Sequence, residues 1–177
     1  GNNPQFLTVI LDEKRFIPYE ERYLSMPGLD TGAYLTVPSG FRAPNSNSKL
    51  NFDIPTDWPP GEYVIRIRCA ARPEAAADRR FIEFGHRHYG DRMPAISAHH
   101  VTGTMEAPQV IEIPYSLKAA SSDPAKRRFM IREIGTGSGV AARRIFDEGV
   151  KANGIGPELS IWVDWIEIER KTGTAKP

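Results

Sequence analysis

The sequence predicts an all-β fold, an antiparallel β-sandwich or jelly roll with one α-helix inserted near the C-terminal end. Polar and apolar residues alternate in several short segments that turn residues separate. Glycine and proline number 15 each, which favours many turns and few long helices. Strands and helices do not alternate along the chain, so a parallel α/β sheet is not expected.

A chain of 177 residues suits one domain, and we interpret residues 1–177 as a single domain whose ends, 1–4 and 171–177, are linkers. The formal net charge of +1 creates no field for holding nucleic acid, so no nucleic-acid partner is predicted. No apolar run approaches the ~20 residues that cross a bilayer, and membrane insertion is not predicted either. The lone cysteine, Cys69, is predicted to be a small buried apolar residue.

The clearest strand follows the turn at residues 58–62 and directs Arg66 and Arg68 away from an apolar face. That face comprises Tyr63, Ile65, Ile67 and Cys69. We expect residues 80–84 to pair with this strand. Further strands are predicted at residues 6–11, 33–37, 51–54, 98–104, 110–117, 128–134 and 159–169.

Simple alternation in the last strand buries Ile161, Val163 and Trp165 and places Trp162 on the opposite face from Trp165. Between the last two strands, residues 138–151 have apolar side chains at helical spacing, and Asn153 and Gly154 resemble a helix C-cap. The sequence therefore predicts an insertion helix lying on the sandwich.

Motifs of common enzymes are missing from the sequence. The glycine-rich run at residues 135–139 lacks the lysine of a phosphate-binding loop, and neither a zinc-binding pattern nor a serine-nucleophile elbow occurs. The domain is therefore predicted to have no catalytic activity.

Aromatic and polar residues in two loop segments suggest a ligand site. Exposed rings stack on the apolar face of a sugar, and polar side chains bond its hydroxyl groups. We predict stacking by Trp58 and Tyr89, and hydroxyl contacts from His86, His88 and Asp91. In the alternative for Trp58, its ring plugs one end of the sandwich.

The histidines allow a second interpretation. His86 and His88 would share one face of an extended strand, and either His99 or His100 could complete a three-histidine metal site if the strands pair suitably. In the simpler alternative, residues 86–89 are a polar strand end and loop.

Asp164 interrupts an apolar strand, where a carboxylate is costly to bury unless it is paired or coordinated. Arg143 or Arg144 could pair with it, a calcium ion could bind it, or it could face solvent at an edge.

Several segments together resemble one family, namely residues 12–19, 23–28, 58–63, 101–109, 153–158 and 162–167. They are similar to the central β-rich domain of the very large multidomain c-type cytochromes of planctomycete bacteria. The resemblance implies an exported, extracytoplasmic protein whose haem lies in another domain. No Cys-x-x-Cys-His motif occurs here, so no haem is expected in this domain.

The segments at 61–68, 101–104 and 163–167 also resemble jelly-roll carbohydrate-binding modules of the galactose-binding-like class. Some of those modules bind calcium through an acidic residue of the closing strand, the place that Asp164 occupies. The usual acidic ligands of the first strand are not evident in this sequence.

These observations lead to two functional expectations. The first is a carbohydrate-binding module that holds a polysaccharide or oligosaccharide, with calcium as a candidate cofactor. The second is a structural module that docks neighbouring domains of the parent protein and binds no small ligand.

Overall fold

The computed structural model describes residues 6–10, 33–35, 49–87, 95–120, 122–133, 139–154 and 160–172. In these ranges the chain is mostly β-structure with one α-helix. The elements are β1 (Phe6–Ile10), β2 (Ala33–Leu35), β3 (Lys49–Asp53), β4 (Gly61–Ala71), β5 (Phe81–His86), β6 (Ala95–His100), β7 (Gln109–Leu117), β8 (Arg128–Glu133), α1 (Gly139–Asn153) and β9 (Ile161–Thr172).

The strands form two antiparallel sheets. The first sheet has the order β1-β9-β4-β7, with β2 also paired to β9. The second sheet has the order β3-β8-β5-β6. The all-β class predicted from the sequence is confirmed.

Both sheets contribute one apolar face to a single hydrophobic core. The predicted inner face of β4 is confirmed, because its four residues are buried there. The opposing sheet supplies a group of stacked rings, with the Phe129 centroid 5.2 Å from Phe84 and 5.5 Å from Phe52. Burial of these rings supplies much of the driving force for folding, since each aromatic side chain removes a large apolar area from water.

The predicted pairing of residues 80–84 with β4 is wrong. β5 pairs with β6 and β8 in the second sheet, whereas β4 lies in the first sheet between β7 and β9. The segment between β4 and β5 crosses from one sheet to the other, with a 3-10 turn at Ala77–Arg79.

A tight corner joins β6 to β7 and again connects the two sheets. The side-chain oxygen of Gln109 accepts hydrogen bonds from the backbone N–H groups of Thr102 and Gly103, at 2.7 and 3.2 Å. A Cβ atom on Gly103 would lie 2.4 Å from the Gln109 nitrogen and 2.9 Å from the Cys69 carbonyl oxygen. The strand predicted at 98–104 therefore ends at His100, because the residues after His100 form this corner.

The predicted helix is present between β8 and β9 as α1. Gly154 ends it with a left-handed φ of 77°, and its N–H donates to the Val150 carbonyl at 2.7 Å, as the C-cap prediction requires. Helices in the described ranges are too short or too polar to span a membrane. At the C-terminal end, β9 continues through Thr172, two residues into the segment predicted as a linker.

Candidate functional site

A β-bulge in β9 shapes the outer face of the first sheet. Arg68 is opposite Trp165, but the next residue of β4, Cys69, is opposite Val163. Asp164 is therefore the extra residue of the bulge, and the alternation of β9 shifts by one position there. Both Trp162 and Trp165 consequently lie on the outer face, so the prediction that they occupy opposite faces is wrong.

The same bulge brings Asp164 to Arg68. The guanidinium of Arg68 is hydrogen bonded to the Asp164 carboxylate, whose side chain is 9% exposed. The guanidinium carbon also lies 6.0 Å from the centroid of the Trp162 ring, at the limit of a cation–π contact. Asp164 is thus ion-paired with Arg68 of β4, a partner that the sequence did not suggest.

Two positions along β4, Arg66 connects three strands. Its Nη1 lies 2.7 Å from Glu169 Oε2 and 3.2 Å from Glu167 Oε1, both on β9. Its Nε lies 3.7 Å from Glu112 on β7. The hydrogen bond from Arg66 lowers the pKa of Glu169, and the same bond raises the pKa of Arg66.

We call the surface formed by Arg66, Arg68, Trp162, Asp164 and Trp165 the tryptophan–arginine face. Trp162 is almost covered, at 4% exposure, while Trp165 and the two arginines are half-buried. The arginines and carboxylates are held by one another in fixed positions beside a partly accessible indole ring. Such a surface can stack on a flat apolar group and exchange hydrogen bonds with hydroxyl groups around it.

Trp58, predicted to stack on a ligand, is buried at 4% exposure. Its ring packs almost parallel to that of Tyr63, with centroids 6.1 Å apart. The Tyr63 hydroxyl donates to the Pro59 carbonyl, which fixes the turn that contains Trp58. This arrangement favours the alternative in which Trp58 plugs the end of the core.

His86 is half-buried at the end of β5. Its ring lies 5.3 Å from Phe129 and 5.7 Å from Tyr115, and its Nδ1 lies 3.3 Å from the Arg128 carbonyl oxygen. Burial lowers the pKa of His86, so the ring is predominantly neutral at pH 7. A neutral, partly accessible imidazole can still exchange a hydrogen bond with a ligand hydroxyl. His88, Tyr89 and Asp91 lie outside the described residues.

The register of the second sheet separates His86 from His99 and His100, although the sequence allowed them to share one metal site. His99 is opposite Ile82, four positions from His86 along β5, which corresponds to about 13 Å at roughly 3.3 Å per residue. His99 Nε2 bonds Ser97 Oγ at 2.8 Å, and the His100 ring stacks on Phe81 with centroids 4.6 Å apart. Neither His99 nor His100 can therefore share a metal ion with His86.

Asp164 was the predicted calcium ligand. Within the part of the chain that the structure describes, no group of three or more histidine, cysteine, aspartate or glutamate side chains is placed to hold a metal ion. A cation at Asp164 would have to compete with the Arg68 guanidinium that already neutralises the carboxylate.

No model of a known protein family matches this sequence. A search of curated proteins also finds no match.

The sequence shows that Asp164 is unusual in an apolar strand, but it does not show that this residue forms a bulge. A charged residue between two tryptophans is compatible with either simple alternation or a bulge, and only the partner strand distinguishes them. Arg66 and Arg68 were correctly placed on the outer face of β4, but their carboxylate partners depend on the strand order, which alternation does not reveal.

Proposed function

We propose that this chain is a non-catalytic carbohydrate-binding module, and that the tryptophan–arginine face is part of its binding surface. The single observation behind this proposal is the bulge at Asp164, which gathers two indole rings and two arginines on one sheet face. Trp165 is the partly accessible ring, and we assign to it the stacking role that the sequence suggested for Trp58.

The strand orders support a jelly-roll connectivity as part of the proposal. From β3 onward, consecutive strands lie in opposite sheets except for β5 and β6, which pair with each other. Such crossing between two sheets is expected of a double Greek key. With the resemblance to planctomycete cytochrome domains, it supports a module of a large exported, extracytoplasmic protein whose haem lies elsewhere.

The charges around the face favour neutral or amino sugars over acidic ones. Arg66, Arg68 and Lys171 are set against the carboxylates of four residues, Glu112, Asp164, Glu167 and Glu169. Both arginines are already engaged by these carboxylates, so a uronate or sulfate group that approached the described residues of this face would meet local repulsion. We expect binding to neutral polysaccharides and weaker binding to acidic ones.

The test is retention of the purified chain on insoluble and soluble polysaccharides, neutral and acidic, with calcium and with chelator. Replacing one stacking ring in a binding hot spot costs about 1–3 kcal/mol, or roughly tenfold to a hundredfold in affinity. Trp165→Ala should therefore weaken binding by about this factor. Val150→Ala, on α1 and 37% exposed, is the control outside this face and should bind normally.

Four outcomes separate the parts of the proposal. Equal binding by Trp165→Ala and the unsubstituted chain would remove this face from the site, and loss of binding in Tyr89→Ala would return the site to the loops. Loss with chelator would support the calcium prediction. Absence of retention on every glycan would contradict the carbohydrate-binding function itself.

Docking of neighbouring domains is the second candidate function. Val150 on α1 is 37% exposed among charged neighbours, and a neighbouring domain packed against this helix would cover it. A larger fragment of the parent protein in which Val150 becomes protected from hydrogen exchange would favour this function over glycan binding.

A further inference from the structure

Strand β6 ends the second sheet with an unusually open edge. Among the described strands it pairs only with β5. Ala95, Ile96, Ala98 and His100 are all exposed, and Ile96 is the residue that the bulge opposite Phe84 and Gly85 leaves unpaired. The sequence of β6, AISAHH, includes no lysine, arginine, aspartate, glutamate or proline.

Two of the other sheet edges, those formed by β7 and β3, are protected. β7, at one edge of the first sheet, includes Pro114 and the exposed Glu112. β3, at the opposite edge of the second sheet, ends in Asp53, which is paired with Arg87 at 3.3 Å. Charges and prolines on edge strands are the usual means of preventing edge-to-edge pairing. Their absence from β6 indicates an edge that is available for another strand.

The pattern of β6 is compatible with pairing to itself. In an antiparallel pair related by a two-fold axis, a residue at the axis lies opposite its own copy, and neighbours pair symmetrically around it. With Ala98 at the axis, Ser97 of one copy lies opposite His99 of the other, and Ile96 lies opposite His100. Ala98, which has a small side chain, is then the residue that lies opposite its own copy, and no like charges face each other.

We propose that two copies of this chain associate through antiparallel pairing of their β6 strands, which joins their second sheets into one continuous sheet. The pairing would satisfy backbone groups at the open edge and would cover Ile96, which is 44% exposed in the single chain. It does not depend on glycan binding. Because so short a strand buries little area, the dimer is weak and forms at high protein concentration.

Sedimentation velocity at increasing concentration tests the proposal. The unsubstituted 177-residue chain should shift from monomer to dimer. Ala98→Lys places two ammonium groups across the two-fold axis and should keep the chain monomeric. Val110→Lys is the matched control, since Val110 is exposed like Ala98, at 44%, but lies on β7 of the other sheet, and it should dimerise normally. Melting temperatures of both variants establish that they remain folded.

A cross-link provides the second measurement. Cys69 is the only native cysteine and is buried, so it adds no background. Residues directly opposite each other in antiparallel strands have Cβ atoms about 4.5–5.5 Å apart, close to the reach of a disulfide. Under mild oxidation Ala98→Cys should form a covalent dimer rapidly, and Val110→Cys should not. A chain that stays monomeric at every concentration would overturn the proposal. So would a dimer that Ala98→Lys leaves intact, or equal cross-linking of the two cysteine variants.

Discussion

Burial sets the chemical behaviour of the Cys69 thiol. Its side chain is fully enclosed in the core, and desolvation raises its pKa to about 12. The reactive thiolate is therefore almost absent near neutral pH. We expect iodoacetamide at pH 8 to leave Cys69 unmodified in the folded chain and to alkylate it completely in guanidinium chloride. Mass spectrometry measures this, and comparable rates in the two states would show that the thiol is accessible.

The lowered pKa of His86 predicts how the free energy of unfolding depends on pH. Burial lowers this pKa in the folded chain below the ordinary value of about 6.5 expected in the unfolded chain. As the pH falls below about 6.5, the unfolded chain takes up a proton before the folded one, and the free energy of unfolding decreases. The decrease levels off below the folded-state pKa. Above about pH 7.5 the ring is neutral in both states and contributes no pH dependence.

His86→Phe keeps a ring against Phe129 but removes the titration. Chemical unfolding at pH 7.5 and pH 5.5 should therefore show a smaller loss of stability in this variant than in the unsubstituted chain. The pKa of His99 is also lowered by burial, but His99 is present in both proteins, so its effect cancels in the comparison. Equal losses in the two proteins would mean that His86 is not desolvated.

For single residues, burial was predicted correctly where it follows from the alternation of polar and apolar side chains along a strand. Cys69 and the apolar face of β4 were predicted correctly for this reason. The burial of Trp58 could not be decided, because a tryptophan in a turn can face either inward or outward. The packing of its ring on Tyr63, near the start of β4, appears only in three dimensions.

At the scale of elements, the corner between β6 and β7 makes a sharp prediction. Gly103 leaves no room for a Cβ atom against the backbone of Gln109 and the Cys69 carbonyl. Gly103→Ala should therefore destabilise the fold by about 1–3 kcal/mol, the usual cost of overpacking a rigid site. Thr102→Ala, an exposed neighbour, should change the free energy of unfolding by about 0.5 kcal/mol or less. Equal effects in urea denaturation would contradict the close approach.

Most strands were predicted within a few residues, but their partners were not. Hydrophobic periodicity reports which face of a strand is buried and contains no information about which sheet the strand joins. The prediction of a β4–β5 hairpin failed for this reason. In β9, periodicity assumes one partner for every residue, so the extra residue at Asp164 places Trp165 on the face opposite to the predicted one, while Trp162 lies on the predicted face.

At the scale of the whole molecule, the first sheet has an outer face lined with rings and ion pairs, and the second sheet ends in a strand without lysine, arginine, aspartate or glutamate. These two features lie on different sheets. Glycan binding and self-association can therefore be disrupted separately, by Trp165→Ala and Ala98→Lys. Neither feature was predictable from the sequence. The first depends on which strands are neighbours, and the second depends on which strand lies at the edge of its sheet.

The most direct test of the glycan-binding proposal is a titration of the isotope-labelled chain with a neutral oligosaccharide, observed through the indole N–H signals in NMR spectra. The chain has three tryptophans, and Trp→Phe variants assign one signal to each. We predict that the Trp165 signal shifts progressively to saturation while that of buried Trp58 stays unchanged. If no neutral glycan moves the Trp165 signal, or if only the Trp58 signal moves, the tryptophan–arginine face is not the binding surface.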